Sequence, residues 1–210
     1  MIQSFVFLDF ETTGLSNPEV TEFCVLAVNR NFPDRMRDKL VICCSPKGNI
    51  CNESMRLTGI THEMTTGRPN FSEDGVRLLI AFLKILPRPI CLLAHNGDRF
   101  DFRILRKILD AGNCGYIDNV YSLDTLMLFK EIDHAQNKSY KLSSVRERLF
   151  GIDATVKEHG AEADCETLAK CFFKLDCVQY IDRNFTIGES TCTSLMKSPS
   201  ILCNRTENHL

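Results

Sequence analysis

Asp9 and Glu11 flank Phe10 in the run SFVFLDFET. Side chains two apart on a strand share one face, so a strand that continues through residue 11 carries two carboxylates side by side. That is costly in so apolar a segment unless something compensates the charge. The competing reading ends the strand at Leu8 and leaves both acids solvated in the following loop. Asp101 stands in HNGDRFDFRIL, where a loop enters a helix directly after the apolar run ICLLA. An acid there, Asp98 included, also serves simply as a partner of the helix dipole. His159 and Asp164 are five apart in HGAEAD, a poor spacing for one helical face. His159 therefore fits the loop before a helix and Asp164 its first turns, against the plainer alternative of a surface histidine.

The combination says more than its parts. Asp9 and Glu11 fall near the C-terminal end of the first strand, the edge of a sheet where open α/β sites form. Helices carrying Asp101 and Asp164 can aim two further acids there. Four converging carboxylates raise one another's proton affinity. Divalent cations relieve that repulsion, and an all-oxygen donor set suits Mg²⁺ or Mn²⁺. Two such ions about 4 Å apart can hold a scissile phosphate, activate water and stabilise the leaving oxygen. A base with a proton affinity near neutrality is also needed, and His159 meets that requirement. Composition and spacing lead as far as a two-metal phosphodiesterase and no further.

The elements that must position these groups follow from pattern. Residues 4–10 read as a buried strand, 20–30 as a second and 39–46 as a third, joined as hairpins. Residues 72–86 read as a helix opened by a capping Ser72 and stopped by Pro87 and Pro89. Residues 90–94 read as a fully buried fourth strand, and 95–112 as a loop entering a helix closed by Gly112. VYSLDTLMLFK reads as a short fifth strand passing into a helix, 142–150 as another helix, and apolar residues recur at helical spacing from about Ala161. Antiparallel strands followed by strand–helix alternation imply an α/β protein, a mixed sheet of about five strands with helices on both faces. The polar, aperiodic stretch at 187–210 reads as a disordered tail after a domain at 1–186.

Composition narrows the field. The 210 residues include 25 Lys and Arg against 27 Asp and Glu, a formal net charge of −2. A nucleic-acid binder held mainly by a broad basic surface is therefore not expected, and a phosphate-bearing partner needs a local device. No apolar run reaches the length of a membrane span, and the start MIQSFVFLDFE lacks the basic region of a secretory signal. There are 11 cysteines but no CxxC pair, so reduced thiols in a nuclear or cytoplasmic protein are expected rather than a zinc site or disulfides. The N-x-S/T triplets at Asn52, Asn137, Asn184 and Asn204 then read as chance matches.

Three motifs now carry a resemblance. FLDFETTGL at 7–15, AHNGDRFDFRIL at 94–105 and HGAEAD at 159–164 resemble, in order and spacing, those of the DEDDh three-prime-to-five-prime exonucleases of the DnaQ-like, RNase H-like superfamily. PEVTEFCVLAVNR, LTGIT at 57–61 and KSYKLSSVRERLFG at 138–151 are similar to the Trex branch and to the PML exon-9-like exonucleases. The likeness spans about residues 3–185.

The resemblance implies an RNase H-like fold and a two-Mg²⁺ site, with Mn²⁺ as a substitute. Asp9, Glu11 and Asp164 would bind the metal at the scissile phosphate, with Asp9 bridging toward a second held by Asp101, and His159 would deprotonate the attacking water. Leu15 is placed like the wedge at the terminal base, Leu57 like the residue packing on the terminal sugar and base, and Thr12 like the amide that meets the three-prime hydroxyl. Phe100 stands where many Trex relatives have Tyr, keeping the stacking surface without the hydroxyl. Arg99 and Lys138 are candidate phosphate contacts. The implied activity is removal of nucleoside 5′-monophosphates from single-stranded or frayed DNA 3′ ends. An exoribonuclease on the same fold, or a non-catalytic binding module, is the alternative. A homodimer through sheet edges is implied, and a membrane anchor is not. Asn137-Lys138 departs from relatives with two adjacent basic residues there.

Overall fold

The long apolar run at the start of the sequence becomes the centre of a five-stranded sheet. The computed structural model describes residues 1–111, 118–133, 138–152 and 159–184. The expected closing residue Gly112, the departure at Asn137, the tail at 187–210 and the boundary before it lie outside the described residues.

The strands are β1 (Ser4–Thr12), β2 (Val20–Asn29), β3 (Arg37–Cys43), β4 (Ile90–Ala94) and β5 (Val120–Asp124). Their order is β3-β2-β1-β4-β5. β1–β2 and β2–β3 pair antiparallel, β1–β4 and β4–β5 parallel. Hairpins build the first half and helical crossovers the second, as expected from the order of the elements. β3 begins earlier than expected, at Arg37, and ends at Cys43.

Eight helices are described: α1 (Asn52–Thr58), α2 (His62–Thr65), α3 (Val76–Lys84), α4 (Asp101–Ala111), α5 (Thr125–Asp133), α6 (Leu142–Phe150), α7 (Ala161–Lys174) and α8 (Cys177–Asn184). The segment before α3 corrects one expectation. Phe71–Gly75 winds as a single wide π turn, and its cap is Asn70 rather than Ser72. Asn70 Oδ1 accepts from the Ser72 amide at 3.0 Å.

The pleat of β1 divides the core. Val6, Leu8 and Phe10 face α3 and α4, whereas Phe5 and Phe7 face α5–α8. Both faces are covered, as befits a central strand. α7 lies directly over β1 and β2. Its buried stripe runs Ala161, Cys165, Leu168, Phe172, and the Phe172 ring stands 5.1 Å from Phe5 and 5.3 Å from Phe7. Cys165 Sγ lies 3.4 Å from the Phe7 carbonyl and 3.5 Å from that of Cys24, so helix and strand touch with no spacer. The described cysteines are all free thiols. Among the described residues no helix is long and apolar enough to cross a membrane.

Candidate active site

β1 does not stop at Leu8. It continues to Thr12, so Asp9 and Glu11 extend the face of Phe5 and Phe7 toward α7. Asp164 occupies the first turn of that helix, one turn before Leu168 on the sheet-facing side. Carboxylate oxygens of Asp9, Glu11 and Asp164 all lie within 4.8 Å of one another.

Asp101 approaches from the other side. The parallel pairing of β1 with β4 runs only to Phe7 opposite Leu93, which leaves the last residues of β1 without a neighbour on that edge. The Phe10 amide there donates instead to Asp101 Oδ1 at 3.0 Å. Asp101 is 3% exposed. It is therefore a buried acceptor at the site, not merely a solvated dipole partner.

The electrostatics are unfavourable as they stand. Burial, then Asp101, Asp164 and Glu11, hold the Asp9 carboxyl well above the usual carboxylate range. Burial, then Asp164 and Glu22, push Glu11 up to about 7. Burial, with Asp124 and Glu11 adding to it, pushes Asp101 up to about 7 against the amide hydrogen bonds that favour its anion. The charged groups felt most strongly by Asp9 and Glu11 are thus other acids, apart from the Cys24 thiol. Hard oxygen donors converging this closely fit a divalent ion such as Mg²⁺ or Mn²⁺.

Two acids missed in the sequence hold the frame. Glu22 sits opposite Glu11 in the β1–β2 register, and its Oε2 accepts from the Ala161 amide at 3.0 Å. That bond pins the start of α7, and with it Asp164, to the sheet. Asp124, at the end of β5, accepts from the amides of Asn96 at 3.0 Å, Asp98 at 3.1 Å and Leu126 at 2.9 Å. Three amides on one buried carboxylate fix the turn that leads into α4 and Asp101. His95 in the same turn lies 2.8 Å from the Tyr140 carbonyl through Nε2 and 3.1 Å from Thr125 Oγ1 through Nδ1. Burial lowers its proton affinity, and a carbonyl can only accept, so a neutral ring donates from Nε2. An acid after a strand gives no sequence signal of which distant amides it will meet.

His159 is exposed, with φ 61°, immediately before the α7 cap Gly160. It lines one cavity together with Asp164. Leu15 follows the end of β1 and is 90% exposed, an apolar side chain left uncovered by the described residues. Leu57, on α1, is half-exposed. Phe100 packs partly against the α3–α4 side of the core. Thr12 is buried and its Oγ1 donates to the Gly14 carbonyl at 3.2 Å. Arg99 and Lys138 are exposed.

The exonuclease family profile fits residues 6–172. The chain belongs to the exonuclease family. This exonuclease-family chain is 36% identical over 192 residues to three-prime repair exonuclease 1 of Bos taurus, aligning 78% of itself with 60% of that protein. It is 33% identical over 195 residues to three prime repair exonuclease 2 of Mus musculus, which aligns over 81% of this chain and 82% of the relative. The chain spans about 60% of the length of the first of these relatives. In fold it is similar to E. coli exonuclease I solved with single-stranded DNA, with a TM-score of 0.67 at 20% identity over 88% of this chain and 43% of that one. It is likewise similar to a 3′-exonuclease solved in recognition of a histone mRNA stem-loop, with a TM-score of 0.65 at 16% identity over 85% and 83% of the two chains. The mixed five-stranded sheet flanked by helices is the fold these exonucleases share.

Proposed function

We propose that this chain is a metal-dependent 3′–5′ DNA exonuclease that releases nucleoside 5′-monophosphates from single-stranded or frayed ends. The observation that carries the reading is the trio of carboxylates from β1 and α7 within 4.8 Å of one another, with His159 and Asp164 on a common cavity. Asp9, Glu11 and Asp164 would hold one Mg²⁺ and Asp9 with Asp101 a second, with Mn²⁺ as a substitute; such ions would screen the carboxylates and stabilise charge on the scissile phosphate. His159, exposed and able to turn toward solvent, takes the proton from the attacking water at a ring nitrogen. Leu15 and Leu57 offer uncovered apolar surface to the terminal base and sugar, and Phe100 a ring to stack on. The Thr12 amide meets the three-prime hydroxyl, and Arg99 and Lys138 contact phosphates. These roles carry over from the motif positions, and the exposure of Leu15, Leu57, Arg99 and Lys138 is consistent with them.

The same fold in a protein solved on an mRNA stem-loop keeps an exoribonuclease as the second reading. In both readings the chain works in the nucleus, the cytoplasm or both. It works as a homodimer through a sheet edge, and β3, exposed from Arg37 to Lys39, is one of the two edge strands of the sheet with β5.

A mononucleotide-release assay tests the proposal, using 3′-end-labelled single-stranded DNA and its RNA counterpart with Mg²⁺ or EDTA, beside Asp164→Asn. Metal-dependent release from DNA that the variant loses is the expected result. Faster release from RNA keeps the mechanism and changes the substrate. No release from either, by folded protein that binds metal, leaves a binding module.

A further inference from the structure

Leu15 and Leu57, the exposed leucines assigned to the terminal nucleoside, stand on elements with little core of their own. Residues 14–17 run from half-buried Gly14 to three exposed side chains. α1, which carries Leu57, buries none of its residues. A segment with so few buried apolar contacts opens readily unless polar ties hold it. Where the two leucines stand is therefore set by hydrogen bonds.

Glu19 sits at the centre of those bonds. The Thr13 amide donates to the Glu19 carbonyl at 2.9 Å and the Glu19 amide to Thr13 Oγ1 at 3.1 Å, which closes the loop bearing Leu15. The Cys51 amide donates to the Thr13 carbonyl at 2.9 Å, so the same closure anchors the first residue before α1. The half-buried Glu19 side chain then reaches the turn leading into that helix. Its Oε2 accepts from the Lys47 amide at 2.5 Å and from the Gly48 amide at 3.4 Å. The Lys47 ammonium turns elsewhere, to Glu73 at 2.8 Å. Bonds to an ionised acceptor are roughly twice as strong as neutral ones. The two elements also touch. A Cβ on Gly14 would lie 3.0 Å from Cys51 Sγ and 4.0 Å from Ser54 Oγ. Ser54 and Leu57 are three apart and share a helical face, so the loop bearing Leu15 meets the face of α1 that carries Leu57.

We propose that Glu19 is a positioning residue for the 3′-terminal nucleoside: by clasping the turn at 47–48 to the closed loop at 13–19, it sets the separation of Leu15 and Leu57. The inference rests on the exonuclease reading for what the leucines hold, and not for the clasp. Glu19 acts only through the two leucines, so its loss is felt where a terminal base is present to be held.

The test uses the full chain and two 5′-fluorescein octathymidylates, one ending in thymidine and one in an abasic residue. Binding is read by anisotropy with Ca²⁺ in place of Mg²⁺, whose looser coordination suits binding without cleavage. The wild type is expected to bind the base-bearing end more tightly. Glu19→Ala is expected to lose about three- to tenfold on that end and under about twofold on the abasic end, the size of one net hydrogen bond. Glu19→Gln, which keeps an acceptor oxygen, restores most of the difference. An equal loss on both ends is a general weakening and overturns the positioning role, as does a wild type that binds both ends alike. Should Glu19→Ala fail to fold, Gly48→Ala reads the same split, because its Cβ would lie 3.3 Å from Glu19 Oε1 and crowd the carboxylate. Hydrogen exchange over residues 45–51 is expected to quicken in Glu19→Ala, and unchanged exchange overturns the clasp. A wild type that releases no mononucleotide with Mg²⁺ overturns the exonuclease reading instead, and the exchange still decides whether Glu19 holds the turn.

Discussion

Without metal, the acid cluster should make the protein less stable as pH rises, and Glu11 sets the scale. Its carboxyl is lifted from 4.5 to about 7, first by burial and then by Asp164 and Glu22. That is about 2.5 decades of proton affinity, and at about 1.4 kcal/mol per decade, ionising Glu11 inside the fold costs about 3 kcal/mol. The folded state holds this proton more tightly than the unfolded chain does. Stability from this group is therefore full below about pH 4.5 and falls as pH rises toward 7. Glu11→Gln removes the charge while keeping the shape. In EDTA at pH 8 the variant is expected to melt above the wild type, with a ceiling of about 6–12 °C at roughly 2–4 °C per kcal/mol for a chain of this size. Water reaching the partly buried carboxylate lowers the gain below that ceiling. The assay is thermal unfolding from pH 4.5 to 8, with EDTA and then with Mg²⁺. The wild type should lose melting temperature across the window where the variant stays flatter, and Mg²⁺ should return more to the wild type than to the variant. A wild type that gains stability from pH 4.5 to 7 in EDTA, or a variant no more stable at pH 8, refutes the reasoning.

Four further outcomes are expected. His159→Gln should lower kcat by about 10²–10⁴ with little change in melting temperature, since the residue is exposed; steady-state kinetics beside a melt checks both. Gly97→Ala puts a Cβ 2.7 Å from that of Ala94 and 2.8 Å from the Phe102 ring, so denaturant unfolding should show a loss of about 1–3 kcal/mol, with activity falling as the turn before Asp101 shifts. Phe172→Ala empties the contact between α7 and β1, at a cost of about 3–5 kcal/mol by the same assay. Asp124→Ala strands three amides and should cost more than 2 kcal/mol, while Asp124→Asn, keeping one acceptor, should cost less.

The sheet was legible because its strands are apolar on both faces and its helices carry a one-sided stripe. β1, β2, β4, α4 and α7 all announce themselves in that way, and with them the neighbourhood of Asp9, Glu11, Asp101 and Asp164. What spacing alone left open was whether β1 outlasts Leu8. The answer depends on α7 and Asp101 supplying partners, which no local pattern contains. α1 escaped notice because NESMRLT buries no residue, and its cap is Cys51, whose sulfur accepts from the Ser54 amide at 3.4 Å. α8 keeps only Cys177 and Ile181 inside, too little stripe to read. Glu22 and Asp124 were missed for a different reason. Each is bonded to amides far away in the chain, and their roles exist only once the strands are side by side.

The alternation along β1 has a consequence for how this chain can change length. Phe5, Phe7, Asp9 and Glu11 share one side of the ribbon and Val6, Leu8 and Phe10 the other. Adding or deleting one residue between Ser4 and Leu8 exchanges the two sides. The acids would then turn into the packing around Phe71, and Leu8 and Phe10 would take their place beneath α7. Within this strand, insertions and deletions therefore cannot erode activity while sparing the fold, because one pleat sets both. The connection from Arg30 to Met36 carries no such coupling, and drift in length among descendants of this sequence should collect there.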